Sequence, residues 1–340
     1  MPRSRDDTLA ILRGEHVARL PVFSGLPSLT ASGLNAAGVR YSESHTDAAK
    51  MAAAAASTFE LFGFESAVVP FDLCVEAEAL GCGVDFQTDV DIFLAPVVDK
   101  PIDNLAEVSF DSASQGWGRI PLVADAIQRL KAGVGREIAI GAWVPGPFTL
   151  AWQLFGADAW LSALQDAEQA ARTLESLAGF LAQVAAKYGE AGADLITVHE
   201  MGGSSQVTGP GRFLTLVKPA LSKLLAAIES PKVLSVCGDT NAVVHDLAAC
   251  GADALSVDER NDLARTRRLL GSDAILLGNL DPVGVLSQGT PARVAQTVAA
   301  IAQAGANAIW PGCDLYPEIP DENMRALMES TKRANVHESD

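Results

Sequence analysis

Three apolar runs in this chain each end on side chains able to hold a metal ion or a nucleophile. Lys232 to Val236 leads to Cys237-Gly238-Asp239-Thr240, Ala193 to Val198 leads to His199-Glu200, and Asn307 to Trp310 leads to Pro311-Gly312-Cys313. Beyond Thr240, Asn241 to Leu247 takes up helical spacing. The first run therefore reads as strand, tight turn, N-cap and helix. If the three strands lie parallel in one sheet, Glu200, Cys237 and Cys313 meet at one rim. Two thiolates and a carboxylate suit zinc with an open fourth position, and sulfur favours zinc over magnesium or calcium. Packing is the competing reading for any cysteine, because the residue is so often buried, and it is the reading taken for Cys74, Cys82 and Cys250. A carboxylate at such a rim costs desolvation energy unless partnered, so Glu200 is read as touching substrate or metal. His199 precedes it and should point the opposite way along an alternating strand. It is read as packed or helix-facing, with substrate binding as the alternative.

Positioning these groups requires a regular alternation of strands and helices. Strand-like runs begin near residues 20, 66, 137, 193, 233, 252, 274 and 307, with at least one helical stretch between each and the next. Repeated β-then-α units imply a parallel sheet, and eight of them close a (β/α)8 barrel. Such a barrel needs about 250 residues. A short N-terminal helix, Asp7 to Arg13, and a β-hairpin insertion after the second strand, about 74–101, take up the surplus as parts of a single domain, 1–340. Val84-Asp85-Phe86 and Ile92-Phe93-Leu94 are the expected hairpin arms. An open doubly wound sheet is the alternative, but no G-x-G-x-x-G follows any strand, which weakens its dinucleotide version.

In a barrel the chemistry sits at the C-terminal strand ends. Here those ends carry Gly25, Phe71-Asp72, Trp143, His199-Glu200, Cys237 with Asp239, Asp258-Glu259, Asn279 with Asp281, and Cys313. Glu200, Asp239 and Asn279 are the catalytic candidates. Asp258, Asp281, Phe71 and Trp143 are candidates for substrate contact. His16, His45, His245 and His337 read as peripheral. Gly202-Gly203-Ser204-Ser205 reads as a mobile lid or a backbone phosphate cradle.

Of the 340 residues 49% are hydrophobic, and the net charge is −17. That acidity disfavours nucleic acid and anionic lipid as partners. No run approaches the roughly 18 apolar residues of a membrane span. The first residues lack the apolar core of a signal peptide. A cytoplasmic protein with reduced thiols is expected.

At these residues the chain resembles the methylcobamide:coenzyme M methyltransferase family of the uroporphyrinogen decarboxylase superfamily. The likeness is carried over nearly the whole chain by Phe64-Glu65-Ser66, Val69-Pro70-Phe71, Val75 to Gly81, Gly146 to Leu150, Ala191 to Asp194, Cys237 to Thr240, Leu255 to Glu259, Gly278 to Pro282 and Pro311-Gly312-Cys313. It implies a (β/α)8 barrel that moves a methyl group from the cobalt of a methylated corrinoid, carried by a partner protein, to an acceptor. Decarboxylation is not implied. The arginine-rich N-terminal segment that marks that branch has no counterpart, since Leu20 to Gly33 contains no arginine.

In thiol-methylating members, the resemblance implies zinc held by a His-x-Cys pair and a later cysteine. The cysteines fall on Cys237 and Cys313, but the histidine falls on Ser235, a poor ligand. Either Glu200 supplies the third ligand, or no zinc is used. The second choice favours tetrahydrofolate as acceptor, because its N5 is already a neutral amine nucleophile whereas a thiol profits from a metal. Zinc-dependent transfer to a thiol such as coenzyme M is the alternative. A non-catalytic barrel that binds a corrinoid or tetrapyrrole is a third reading.

Overall fold

The computed structural model describes residues 4–88, 93–102, 116–202, 207–229 and 231–334. Its strands, numbered along the chain, are β1 (Ser66–Val69), β2 (Gly83–Asp85), β3 (Val97–Lys100), β4 (Ala139–Pro145), β5 (Leu195–His199), β6 (Lys232–Val236), β7 (Ala254–Val257), β8 (Ile275–Leu280) and β9 (Ala308–Pro311). Seven pair in parallel in the order β1-β4-β5-β6-β7-β8-β9. The run near Leu20 completes the ring. Phe23 N–H donates to the Ile309 carbonyl at 3.2 Å, and Ile309 N–H donates to that of Pro21 at 2.9 Å. On the other side Glu65 N–H donates to the Val22 carbonyl at 3.2 Å. A (β/α)8 barrel results, as the alternation predicts.

Alternate side chains along these strands sort into two layers. Leu195, Val233, Ala254, Leu277, Ala308 and Trp310 face the barrel axis in one cluster. Ile196, Val198, Leu234, Val236 and Leu255 belong to the larger cluster shared with the surrounding helices. The N-terminal helix, Ser4–Leu12, contributes Leu9, Ile11 and Leu12 to the inner cluster and so covers the barrel floor. Arg5 fixes it there through Asp194, whose carboxylate also takes Lys131 and the Ile140 N–H. Burial opposes the charge on Asp194, but its hydrogen bonds with Arg5 and Lys131 hold its pKa below the ordinary carboxylate range.

The insertion after β1 differs from expectation in its second arm. β2 pairs antiparallel with β3, Val84 opposite Val98, so the returning arm is Val97–Lys100 and not Ile92-Phe93-Leu94. Ile92 lies outside the described residues, as do residues 203–205 of the expected lid and His337. The long helical stretch after β4 breaks into Pro147–Phe155, Ala157–Ala163 and Ala167–Glu190. The first break falls at Gly156, at φ 75°, a conformation that suits glycine. The second is set by Asp166, whose side chain accepts from Gln169 N–H as an N-cap.

Candidate active site

Leu195 faces the barrel axis, and a strand repeats every two residues, so Thr197 and His199 face it too. By the same count Ser235 follows Val233 on the inner face of β6, and Cys237 continues that row at the mouth. Cys313 arrives from beyond β9. The structure brings these ends together. Cys237 Sγ lies 2.9 Å from Cys313 Sγ and 3.6 Å from His199 Nε2. The three ligand atoms all lie within 4.8 Å of one another. Trp143 sets its ring edge-on to His199, centroids 6.0 Å apart, and donates its indole N–H to the Pro70 carbonyl at 2.7 Å.

Glu200 is not part of this cluster, contrary to the expectation that it would be the third ligand. The two residues do point opposite ways, but the imidazole faces the mouth and the carboxylate faces the helix Pro147–Phe155. Glu200 is fully buried and takes four donors. Phe148 N–H reaches Oε2 at 3.0 Å, while Thr149 N–H (3.1 Å), Thr149 Oγ1 (2.6 Å) and Gly202 N–H (2.8 Å) reach Oε1. The reason is local. That helix begins after Gly146, which has no side chain with which to cap it, so its first free N–H groups need an acceptor from elsewhere. A Cβ on Gly146 would stand 2.3 Å from Glu200 Oε2, so the glycine is what admits the carboxylate.

His199 brings an imidazole to the level of Ser235. In the β5–β6 ladder His199 is the register partner of Ser235, so the imidazole comes from the adjacent strand at the same level. One neutral imidazole nitrogen and two sulfurs are a donor set that fits zinc with an open position. Of the two sulfurs, Cys313 is the one biased toward the thiolate that a metal ion takes. Hydrogen bonding with Cys237 brings the Cys313 thiol well below its ordinary pKa, helped by His199, and raises Cys237 in turn. Burial opposes the charged form of His199, yet its interaction with Cys313 lifts it above the usual imidazole value.

The remaining predicted residues serve the frame around this cluster. Asp258 Oδ2 accepts from Gly238 N–H at 2.7 Å and so fixes the turn beyond Cys237. Asn279 donates to the Asp258 and Asn261 carbonyls. Asp239 accepts from Asn241, and Asp281 accepts from Val283 and Gly284 N–H in the turn after β8. These bonds place Asn279, Asp239 and Asp281 as builders of loops at the rim. Phe71 is buried against His45, centroids 6.2 Å apart.

Three groups escape a reading of the sequence. His45, read as peripheral, is fully buried and pairs with Asp72 at 2.9 Å. Arg119 grips the same carboxylate with both terminal nitrogens, at 2.9 and 3.0 Å. Asp72 closes the end of the strand β1 and was visible as such, but nothing in the spacing links it to residues 45 and 119. Asp314, next to Cys313, is the third: burial and that thiolate push its carboxyl up to about 7.

The uroporphyrinogen decarboxylase (URO-D) family profile matches residues 3–334. The chain belongs to the URO-D family. It is 31% identical over 327 residues to methylcobamide:CoM methyltransferase MtbA of Methanosarcina acetivorans, covering 94% of this chain and 95% of that one. It is 30% identical over 325 residues to methylcobamide:CoM methyltransferase MtaA of Methanosarcina barkeri, with the same coverage. A solved methyltransferase from Methanosarcina mazei superposes with a TM-score of 0.90 at 28% identity, covering 97% of this chain and 98% of that one. This URO-D-family protein is a methyltransferase. Among its described residues no helix is long and apolar enough to cross a membrane.

Proposed function

We propose that the protein moves a methyl group from a methyl-Co(III) corrinoid, presented by a partner protein, to the sulfur of a small thiol. The observation that carries the proposal is the convergence of His199, Cys237 and Cys313 at the barrel mouth. The preference for tetrahydrofolate rested on the loss of a histidine at Ser235, and His199 removes that ground. The relatives above are named for CoM, which also supports a thiol acceptor over a pterin.

Zinc held by His199, Cys237 and Cys313 would supply a Lewis acid that keeps an acceptor thiol as thiolate near neutral pH. The chain's own contribution is placement. Trp143 braces the imidazole, and Asp258 fixes the Gly238 turn that carries Cys237. Methyl transfer is a displacement at carbon. The sulfur lone pair forms the S–CH3 bond, and the electron pair of the broken Co–C bond stays on cobalt, leaving Co(I). The thiol's proton goes to solvent or to a nearby base. Holding the sulfur in line with the cobalt-bound carbon is the main source of rate acceleration in such a step.

The test is a comparison of acceptors. Purified protein, assayed for zinc, is incubated with methylcobalamin and either coenzyme M or tetrahydrofolate. About one zinc per chain, methylated coenzyme M as the product, and loss of both in Cys237→Ala support the reading. Active metal-free protein, or methylation of tetrahydrofolate alone, removes it.

A further inference from the structure

Below the sulfur cluster the barrel carries a seam of polar atoms inside an otherwise apolar interior. His199 Nδ1, Ser235 Oγ and Ser256 Oγ have no hydrogen-bonding partner among the described residues. His199 is 4% exposed and both serines 0%, so bulk water does not reach them freely. They are also neighbours by register. His199 pairs with Ser235 across β5–β6, and Ser235 pairs with Ser256 across β6–β7. Neighbouring strands lie roughly 5 Å apart, and all three side chains share the inner face with Val233 and Ala254. Thr197 Oγ1 and Trp310 Nε1, which also lack partners, extend the seam downward.

Buried polar groups in folded proteins are nearly always satisfied. An orphaned imidazole nitrogen beside two orphaned hydroxyls is a place where one internal water would make about three hydrogen bonds. It would accept from Nδ1–H and donate to the two serine oxygens. Its effect on the imidazole is specific. A histidine that binds a metal through one nitrogen must carry its proton on the other, and the partner of that N–H fixes both tautomer and ring orientation. Here Nε2 is the nitrogen that faces the sulfurs, so Nδ1 must be the donor.

We propose that Ser235 and Ser256 are positioning residues, which through a buried water hold His199 Nδ1–H and keep Nε2 available to a metal ion. The proposal rests on the metal-thiol reading above. It gives Ser235 a role that its sequence position hides. The residue standing where the related enzymes are expected to carry their metal-site histidine supports the imidazole that has moved to the next strand.

Cobalt(II) serves as the probe, since its thiolate charge-transfer and ligand-field bands report the ligand set directly. The full-length protein, Ser235→Ala, Ser256→Ala and the double variant are titrated with cobalt in competition with a chelator. The unsubstituted protein binds one ion. Each single variant weakens binding about tenfold and the double variant up to about a hundredfold, while thermal midpoints fall only slightly, because each substitution removes one hydrogen bond to the water. Nitrogen-15 histidine spectra of the unsubstituted protein show His199 with a slowly exchanging proton on Nδ1, and the double variant shows mixed tautomers. Variants that bind cobalt as tightly as the parent overturn the proposal, as does a parent protein whose His199 proton sits on Nε2. A parent protein that binds no cobalt overturns the metal reading itself, a distinct result.

Discussion

Glu200→Gln separates the two roles open to this residue, ligand or structural acceptor. In the fold Oε1 takes three donors and Oε2 takes one, from Phe148 N–H at 3.0 Å. The glutamine side chain keeps its oxygen toward the larger group, because three donors outweigh one. Its NH2 then faces the Phe148 N–H, so one bond to a charged acceptor is lost and the other three become neutral. Bonds to charged groups contribute about 1.5–3 kcal/mol each, and neutral ones about 1. Relief of a buried charge offsets part of the loss, and its burial does push the Glu200 carboxyl above its ordinary pKa. The net is a destabilisation of about 2–4 kcal/mol. For a chain of this length, with an unfolding entropy of about 2.1 cal/mol/K per residue, that lowers Tm by about 3–6 °C. Calorimetry measures the shift, and zinc analysis of the same sample measures the ion. On the proposed metal-thiol reading, Glu200→Gln holds as much zinc as the parent, since the carboxylate lies outside the cluster of ligand atoms. Gly146→Ala should reproduce the destabilisation, because its Cβ would fall 2.3 Å from Oε2. A Glu200→Gln protein of unchanged Tm that has lost its zinc would refute this account and restore the residue as a ligand.

Other perturbations follow from the same geometry. On the proposed metal reading, His199→Ala should lose cobalt binding, and His199→Ser combined with Ser235→His should recover part of it by placing the imidazole on the adjacent strand; cobalt spectra read both. Glu76 is fully buried beside Tyr188, and burial pushes its pKa from 4.5 up to about 8. It therefore stabilises the fold fully below pH 4.5 and loses that contribution as pH rises toward 8. Glu76→Gln should match the parent near pH 4 and exceed its stability by about 3 kcal/mol at pH 7, at about 1.4 kcal/mol per pH unit between; equal stability at both pH values in denaturant titrations would count against it. Gly25→Ala would set a Cβ 2.0 Å from Thr197 Oγ1 and 2.8 Å from the Trp310 ring. The expected cost is about 1–3 kcal/mol, measured by urea unfolding.

The barrel, its eight-fold alternation and the meeting of Cys237 with Cys313 were legible because each rests on a local pattern: an apolar run, then a turn signal, then helical spacing. The hairpin after β1 was less so. Both Ile92-Phe93-Leu94 and Val97–Lys100 are β-prone, and pairing with β2 chose the second. The Asp72–His45–Arg119 cluster joins residues 27 and 47 positions apart, and no local pattern spans such separations.

The sequence by itself determined that His199 and Glu200 point to opposite sides, since successive side chains on a strand must alternate. It did not determine which of them faces the mouth. That phase would show in a strand with one wet face, where polar and apolar residues alternate. β5 is a barrel strand buried on both sides, and Leu195, Ile196 and Val198 are apolar whichever way they point. Only packing resolved it. Ile196 and Val198 seat against the outer helices, Leu195 joins the axial cluster, and the imidazole follows Leu195 inward.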